Sequence, residues 1–267
     1  MNWKAFNLAI RCVTLTMVFL GLLYMMTPIL VILPLSLSPE RFLAISFDGI
    51  SMQWYQALWD KPGYLRALGN TLLIGAGVSI LATVLGAIAA LAVVRGKLPY
   101  GRVVTGVILS PLIMPQVILA IGIFPILAFF GLIGSGSAVV VAHAAIAIPL
   151  SFITVSAALR GYSENLELAS MTLGANGLAT FIHVTVPMIR LAMVIGAIFA
   201  FAFSFDEIII ALFLTDASSI TLPVFMWNEL RSQMDPTIAA ASTVAIVISL
   251  SMLSAAALLQ SADKSKS

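Results

Sequence analysis

The chain has 267 residues, 61% of them apolar and 9% charged, with a net charge of +2. Soluble domains carry ~45–50% apolar and ~25% charged residues, so this composition excludes a water-soluble domain and marks an integral membrane protein. No basic cluster points to nucleic acid, and a single cysteine, Cys12, leaves no disulfide or thiolate metal site within the chain.

A membrane helix needs ~20 mostly apolar residues. Six stretches qualify, at about 12–34, 71–94, 104–130, 137–159, 191–214 and 238–260. None alternates as a barrel strand does, so the expected fold is all-α and polytopic. Residues 1–11 form a short leading segment with Lys4 and Arg11. The first apolar run is too long for a signal peptide and no small-residue cleavage site follows it, so it reads as a retained helix. Residues 35–70 form the longest loop on its side, with Trp54, Tyr55, Trp59 and Tyr64 suiting a packed interfacial helix. The second span is rich in small residues, including Gly75, Gly77, Gly86 and Ala90, which let helix backbones approach closely. Pro111, Pro115 and Pro125 interrupt the third span. Such breaks are tolerated where they are packed in protein or line a cavity, and Pro115 is a candidate pathway residue. His143 lies in the fourth span, where a histidine bonded across helices or facing a pore is the default.

Residues 160–190 form a polar interruption that is still dense in helix formers. Glu164, Glu167, His183 and Arg190 lie here, with Gly174 placed to end one helix and Pro187 placed to start the next. This is the pattern of a structured docking surface at the membrane face. Its candidate contacts are Glu164, Leu166, Glu167, Leu168, Ala169, Ser170, Met171, Gly174, Phe181 and Pro187. The fifth span holds Ser204, Phe205, Asp206 and Glu207. An ionisable group at that depth costs ~2.5–3.5 kcal/mol at the centre, so it faces a water-filled cavity or a partner. Ser204, Asp206 and Glu207 are therefore pathway candidates. A helix that ends early, with both acids in a packed turn, is the competing reading. The tail 261–267 is polar and is expected to fray.

Charge sets the orientation. Lys4, Arg11, Arg95, Lys97, Arg102, Arg160, Arg190, Lys264 and Lys266 fall on one side, and Arg41, Lys61, Arg66 and Arg231 on the other. The first side is thus expected to be cytoplasmic, with both termini. Of the loop acids, Glu40, Asp48, Asp60, Asp216, Glu229 and Asp235 lean outside, against Glu164, Glu167 and Asp263 inside. Gly96-Lys97-Leu98 lacks the upstream glycine and the Ser/Thr of a P-loop, so ATP hydrolysis is not expected on this chain. Two histidines far apart make no metal cluster. Ser110, Ser151 or Ser204 could pair with His143 in a hydrolase, but no Gly-x-Ser-x-Gly motif supports one.

The 164–190 segment resembles the cytoplasmic loop motif of ATP-binding-cassette importer permeases: Glu-Ala-Ala, three residues, Gly, about nine residues, an aliphatic residue, any residue, and Leu-Pro. Leu168-Ala169-Ser170 takes the first place, Gly174 the glycine and Val184-Thr185-Val186-Pro187 the ending. Leu168 replaces the motif's glutamate and Glu167 stands one position earlier. Trp54 to Leu58, Asn70-Thr71, Ser204 to Glu207 and Leu222-Pro223 look like the second permease of spermidine/putrescine-type importers. The resemblance implies a type I importer permease (MetI-like) fold in a bacterial inner membrane. It implies a second homologous permease, two cytoplasmic ATPase subunits carrying ATP and Mg, and an external solute-binding protein as partners. This chain would bind no cofactor and would be no enzyme. The implied solute is small and cationic, such as a polyamine, with an opine, an amino-acid derivative or another small solute as the alternative. A stand-alone secondary transporter would require inverted repeats and acids in several spans. No convincing repeat is present and only one span carries acids.

Overall fold

A computed structural model describes residues 3–42, 44, 49–96, 98–232 and 235–264. Asp48, Lys97, Lys266 and the last three residues of the tail lie outside the described residues, as do the side chains of Lys4, Asp263 and Lys264. The described residues are helices and their connections, with no strand among them. Five helices are long and apolar enough to cross a membrane, and a sixth span results if one bent pair counts as one. The chain divides into two compact units: the chain up to Lys61 together with Glu229–Val247, and Pro62–Asn228 together with the chain from Ile248 onward.

In the first unit, α1 (Trp3–Ser36) is longer than the expected 12–34, because polar flanking residues continue the helix at both ends. The loop after it is anchored to α2 (Gln53–Asp60). Trp54 donates its indole N–H to the Ser38 carbonyl at 2.7 Å, and the Tyr55 hydroxyl sits 2.8 Å from Ser36 Oγ. Lys61 pairs with Glu229 and, at 3.1 Å, with Asp235, and donates to Thr237 Oγ1 at 3.2 Å. Burial lowers the Lys61 pKa, but these carboxylates outweigh it and hold the ammonium above its ordinary value.

The second unit is built on α3 (Tyr64–Val94), α6 (Gly136–Gly161) and α9 (Val186–Asp206). α3 begins before the expected residue 71, so residues 64–70 belong to a helix and not to the loop. The small residues pack inside this trio. A Cβ on Gly86 would lie 2.8 Å from Ser151 Cβ and 2.9 Å from the Phe152 backbone nitrogen, and one on Gly196 would lie 3.1 Å from Ser151 Cα. Only glycine allows three backbones to meet at Ser151. Above and below it, Val78 and Ala82 pack with Val139, Ala142 and Ala200, and Ala90 packs with Phe152, Val155 and Ile189.

The third expected span, 104–130, is broken. α4 (Gly101–Leu109) runs into a 3₁₀ turn, Ser110–Leu112, and α5 (Gln116–Phe129) leaves at 102° to it. Pro111 and Pro115 lack the N–H a helix needs, and Pro115 adopts ψ 130°, outside the helical region. Pro125 stays inside α5. The fifth expected span, 191–214, also breaks: Glu207 is extended (φ −74°, ψ 122°) and α10 (Ile209–Leu214) begins a new direction. α11 (Leu222–Ser232) and α12 (Thr237–Lys264) complete the chain.

Candidate functional site

The interruption after α6 folds into two short helices. α7 (Asn165–Thr172) ends at Gly174, whose φ of +94° is costly for any other residue. The Gly174 N–H donates to the Met171 carbonyl at 3.0 Å and the Ala175 N–H to the Ser170 carbonyl at 3.2 Å, the paired bonds of a Schellman cap. Asn176 then caps α8 (Gly177–Thr180), its Oδ1 accepting from the Ala179 N–H at 2.8 Å. Ser170 Oγ lies 3.2 Å from Thr180 Oγ1 and ties the two helices together.

Pro187 lies in the first turn of α9, as its position suggested, but the helical run does not begin afresh there. A π-helical turn, Phe181–Thr185, joins α8 to α9, so the helical run extends from Gly177 to Asp206. The Val186 N–H reaches back to the Phe181 carbonyl. This wider turn accommodates a proline that offers no N–H of its own.

Leu166, Leu168, Met171 and Phe181 are exposed, as a docking surface requires, and Leu168 is 54% exposed. Leu173, Leu178 and Ile182 extend the same apolar surface, with Leu173 89% exposed. Sequence reading passed over these three, because no helical or alternating spacing joins them to the others. Glu164 and Ala169 are exposed as well. Glu167 is turned inward: its Oε1 accepts from Arg95 Nε at 3.1 Å and from the Tyr162 hydroxyl.

At the break between α9 and α10 the two adjacent acids part company. Glu207 is 4% exposed. Both of its carboxylate oxygens accept from the Ile210 N–H at 3.0 Å, and Oε2 accepts from the Ala211 N–H at 3.3 Å, capping α10. His143 Nε2 lies 3.0 Å from Oε2, and Nδ1 lies 2.9 Å from Ser204 Oγ. A carboxylate only accepts, so Nε2 carries a proton; in the neutral ring Nδ1 then accepts from the Ser204 hydroxyl. Ser204, His143 and Glu207 are the members of a hydrolytic triad, but their exposures of 3%, 0% and 4% leave no access for a substrate. The set is a polar knot across α6 and the α9–α10 break. Ser204 and Glu207 are thus held in this knot, and Glu207 also borders the cavity beside Asp206.

Asp206 borders a cavity of about 440 Å³ lined also by Gln116, Phe203, Glu207, Ile209, Ser249 and Leu253. Ser249 Oγ is 3.5 Å from Asp206 Oδ1. Pro115, the extended residue just before α5, precedes Gln116, which lines this cavity. Gln116 and Ser249 were not singled out from sequence, because nothing in their spacing ties them to Asp206. No group of three or more His, Cys, Asp or Glu side chains that could hold a metal occurs among the described residues.

The other motif fragments also meet. Thr71 Oγ1 accepts from the Leu222 N–H at 2.7 Å, and Asn70 Nδ2 donates to the carbonyls of Ser218 and Ile220 at 2.9 and 3.0 Å. Between them Asp216 Oδ1 takes four hydrogen bonds from Ser218 and Ser219. The Ser218 hydroxyl and N–H, then the Ser219 N–H, hold its carboxyl down at about 2.

Comparison with known proteins matches residues 82–264 to the family described as the binding-protein-dependent transport system inner membrane component. The spermidine/putrescine transport system permease protein PotC of Escherichia coli K12 is 24% identical over 243 residues, covering 91% of each chain. The trehalose transport system permease protein SugB of Mycobacterium tuberculosis CDC 1551 is 30% identical over 240 residues, covering 86% of each. The structure of a bacterial transporter that imports the acidic polysaccharide alginate superposes with a TM-score of 0.74 at 16% identity, over 93% of this chain and 95% of that one, which supports the fold. The match spans more than half of the chain, and the chain belongs to the family of binding-protein-dependent transport system inner membrane components: it is an importer permease of the ATP-binding-cassette type, a multi-pass membrane transport subunit and not an enzyme.

Proposed function

We propose that this permease forms half of the pathway for a small cationic solute of the polyamine class. The observation that carries this reading is the Asp206 carboxylate, set in a cavity within an apolar helical run and left out of the knot that holds Glu207. A cation crossing a low-dielectric path needs a counter-charge, and Asp206 supplies one in a cavity that Phe203 also lines. Gln116 and Ser249 add hydrogen-bonding groups for an amine. The similarity to a spermidine/putrescine permease agrees with this.

The excess of positive charge on one side supports an orientation with both termini and the α7–α8 segment in the cytoplasm. There the exposed leucine surface docks one of two ATPase subunits, which carry ATP and Mg. A second permease supplies the other half of the pathway, and an external binding protein delivers the solute. ATP-driven closure of the ATPases moves α7 and shifts the permeases between two conformations. A second reading, a neutral solute such as a disaccharide, is favoured by the 30% identity to a trehalose permease. Gln116 and Ser249 would then carry recognition. The test is ATP hydrolysis by the complete reconstituted assembly with its binding protein. Stimulation by putrescine or spermidine and not by trehalose supports the cationic reading. The reverse pattern overturns it.

A further inference from the structure

α3 ends at Arg95, whose N–H still bonds to the Leu91 carbonyl at 2.9 Å. α7 carries Glu167 in its first turn. A cation at a helix C-terminus and an anion at a helix N-terminus are each favoured by the helix dipole. Here the two meet. Arg95 Nε donates to Glu167 Oε1 at 3.1 Å, with the two side chains only 16% and 14% exposed. Tyr162, just past the end of α6, closes the cluster from a third side. Its hydroxyl donates to the same carboxylate oxygen. Its carbonyl accepts from an Arg95 Nη at 3.4 Å, and its ring lies under the guanidinium, 4.6 Å from carbon to centroid. Burial, and then the neighbouring Glu167 carboxylate, hold the Tyr162 phenol above its ordinary value, so it stays a donor.

We infer that Arg95 is a positioning residue for transport: through Glu167 and Tyr162 it makes the docking helix α7 rigid with the ends of α3 and α6, so that a push on α7 moves those two helices. The inference rests on the reading that α7 docks the ATPase. Without the cluster, α7 is joined to α6 by residues 162–164 and to α9 through α8, so its push no longer reaches α3 and α6 directly. Glu167 therefore acts inside the chain, and the ATPase contact is left to the exposed apolar side chains. Leu168 in place of the family's loop glutamate is consistent with that division.

The experiment uses the complete assembly with its ATPases and second permease, reconstituted with the binding protein and labelled putrescine. It compares wild type with Arg95→Gln, Glu167→Gln, the double variant and Arg95→Lys. Coupling free energies of this kind correspond to ~5–150-fold. Arg95→Gln is expected to keep its ATPase chains but to lower solute moved per ATP at least ~5-fold. Glu167→Gln should do the same. The double variant should be no worse than either single one, because both remove the same link. Arg95→Lys should restore part of the ratio, keeping the charge but losing the fork and the stacking. Unchanged solute per ATP in Arg95→Gln and Glu167→Gln overturns the inference, as do strictly additive effects. Loss of ATPase chains from Glu167→Gln but not from Arg95→Gln also overturns it, since Glu167 would then contact the ATPase directly. Leu168→Asp serves as the separate control. If it retains the ATPases, the docking reading fails independently of the ion pair.

Discussion

Replacing Glu207 by alanine removes three hydrogen bonds from the first turn of α10 and leaves His143 Nε2 facing an empty, buried site. Loss of a helix cap costs ~0.5–2 kcal/mol. An abandoned buried polar partner costs a further ~1–3 kcal/mol. The expected destabilisation is thus about 2–5 kcal/mol, large against the ~5–15 kcal/mol that holds an ordinary domain. Glu207→Gln retains a carbonyl acceptor and should lose less. Asp206→Asn, one residue away, should lose almost nothing, because among the described residues Asp206 accepts the long contact from Ser249 and no backbone N–H. The assay is thermal unfolding of the purified assembly, followed by retention of the permease in the soluble fraction. The ranking Glu207→Ala well below Glu207→Gln, with Asp206→Asn near wild type, follows from the knot. Equal melting of Glu207→Ala and wild type, or greater loss in Asp206→Asn, would refute the assignment of the two acids.

Gly174→Val places a β-branched residue at φ +94°, at a cost of ~1–2 kcal/mol, and should loosen the α7–α8 turn and reduce ATPase co-purification without disturbing α3, α6 and α9. Amide hydrogen exchange across 165–185 checks the location of the damage. Leu168→Asp should weaken ATPase retention about tenfold or more, since burial of such a side chain is worth ~1.5–3 kcal/mol, whereas Glu164→Ala should change it little. The opposite ranking would indicate a docking joint made by charge. The turn at Asp216 should be sensitive to acid. Its carboxyl is depressed to about 2 from an ordinary 3.8, so its stabilisation is fully present above 3.8 and is lost as pH falls through 2. Exchange protection of the Ser218 and Ser219 amides should fall across that window in wild type and be absent in Asp216→Ala.

The membrane class, the helical fold and the polar interruption at 160–190 were legible because they rest on composition and on local signals. Gly174 is the clearest case: one glycine after a run of helix formers specified a left-handed cap that the paired carbonyl bonds complete. Pro187 marked the first turn of α9 for an equally local reason. A proline near a helix start usually lies at its first turn, but a π turn just ahead of it let the helix begin ten residues earlier, at Gly177. The breaks at Pro115 and Glu207 show the same limit. Apolar content continues through both, so a hydropathy reading sees one span where the backbone turns. Whether Asp206 or Glu207 faces inward depends on His143, 64 residues before Glu207 and on another helix, and no sequence spacing encodes that meeting. Arg95 and Glu167, 72 residues apart, are likewise joined only by the packing of α3, α6 and α7.

Uptake of labelled putrescine into vesicles that contain the complete assembly and its binding protein, compared between wild type and Asp206→Asn, tests the central claim most directly. Removing the cavity carboxylate that His143 and the α10 amides do not engage should lower the rate at least ~10-fold, equivalent to ~1.4 kcal/mol in the barrier, while the ATPase chains remain bound and the assembly melts as wild type does. Wild-type uptake by Asp206→Asn would contradict the account.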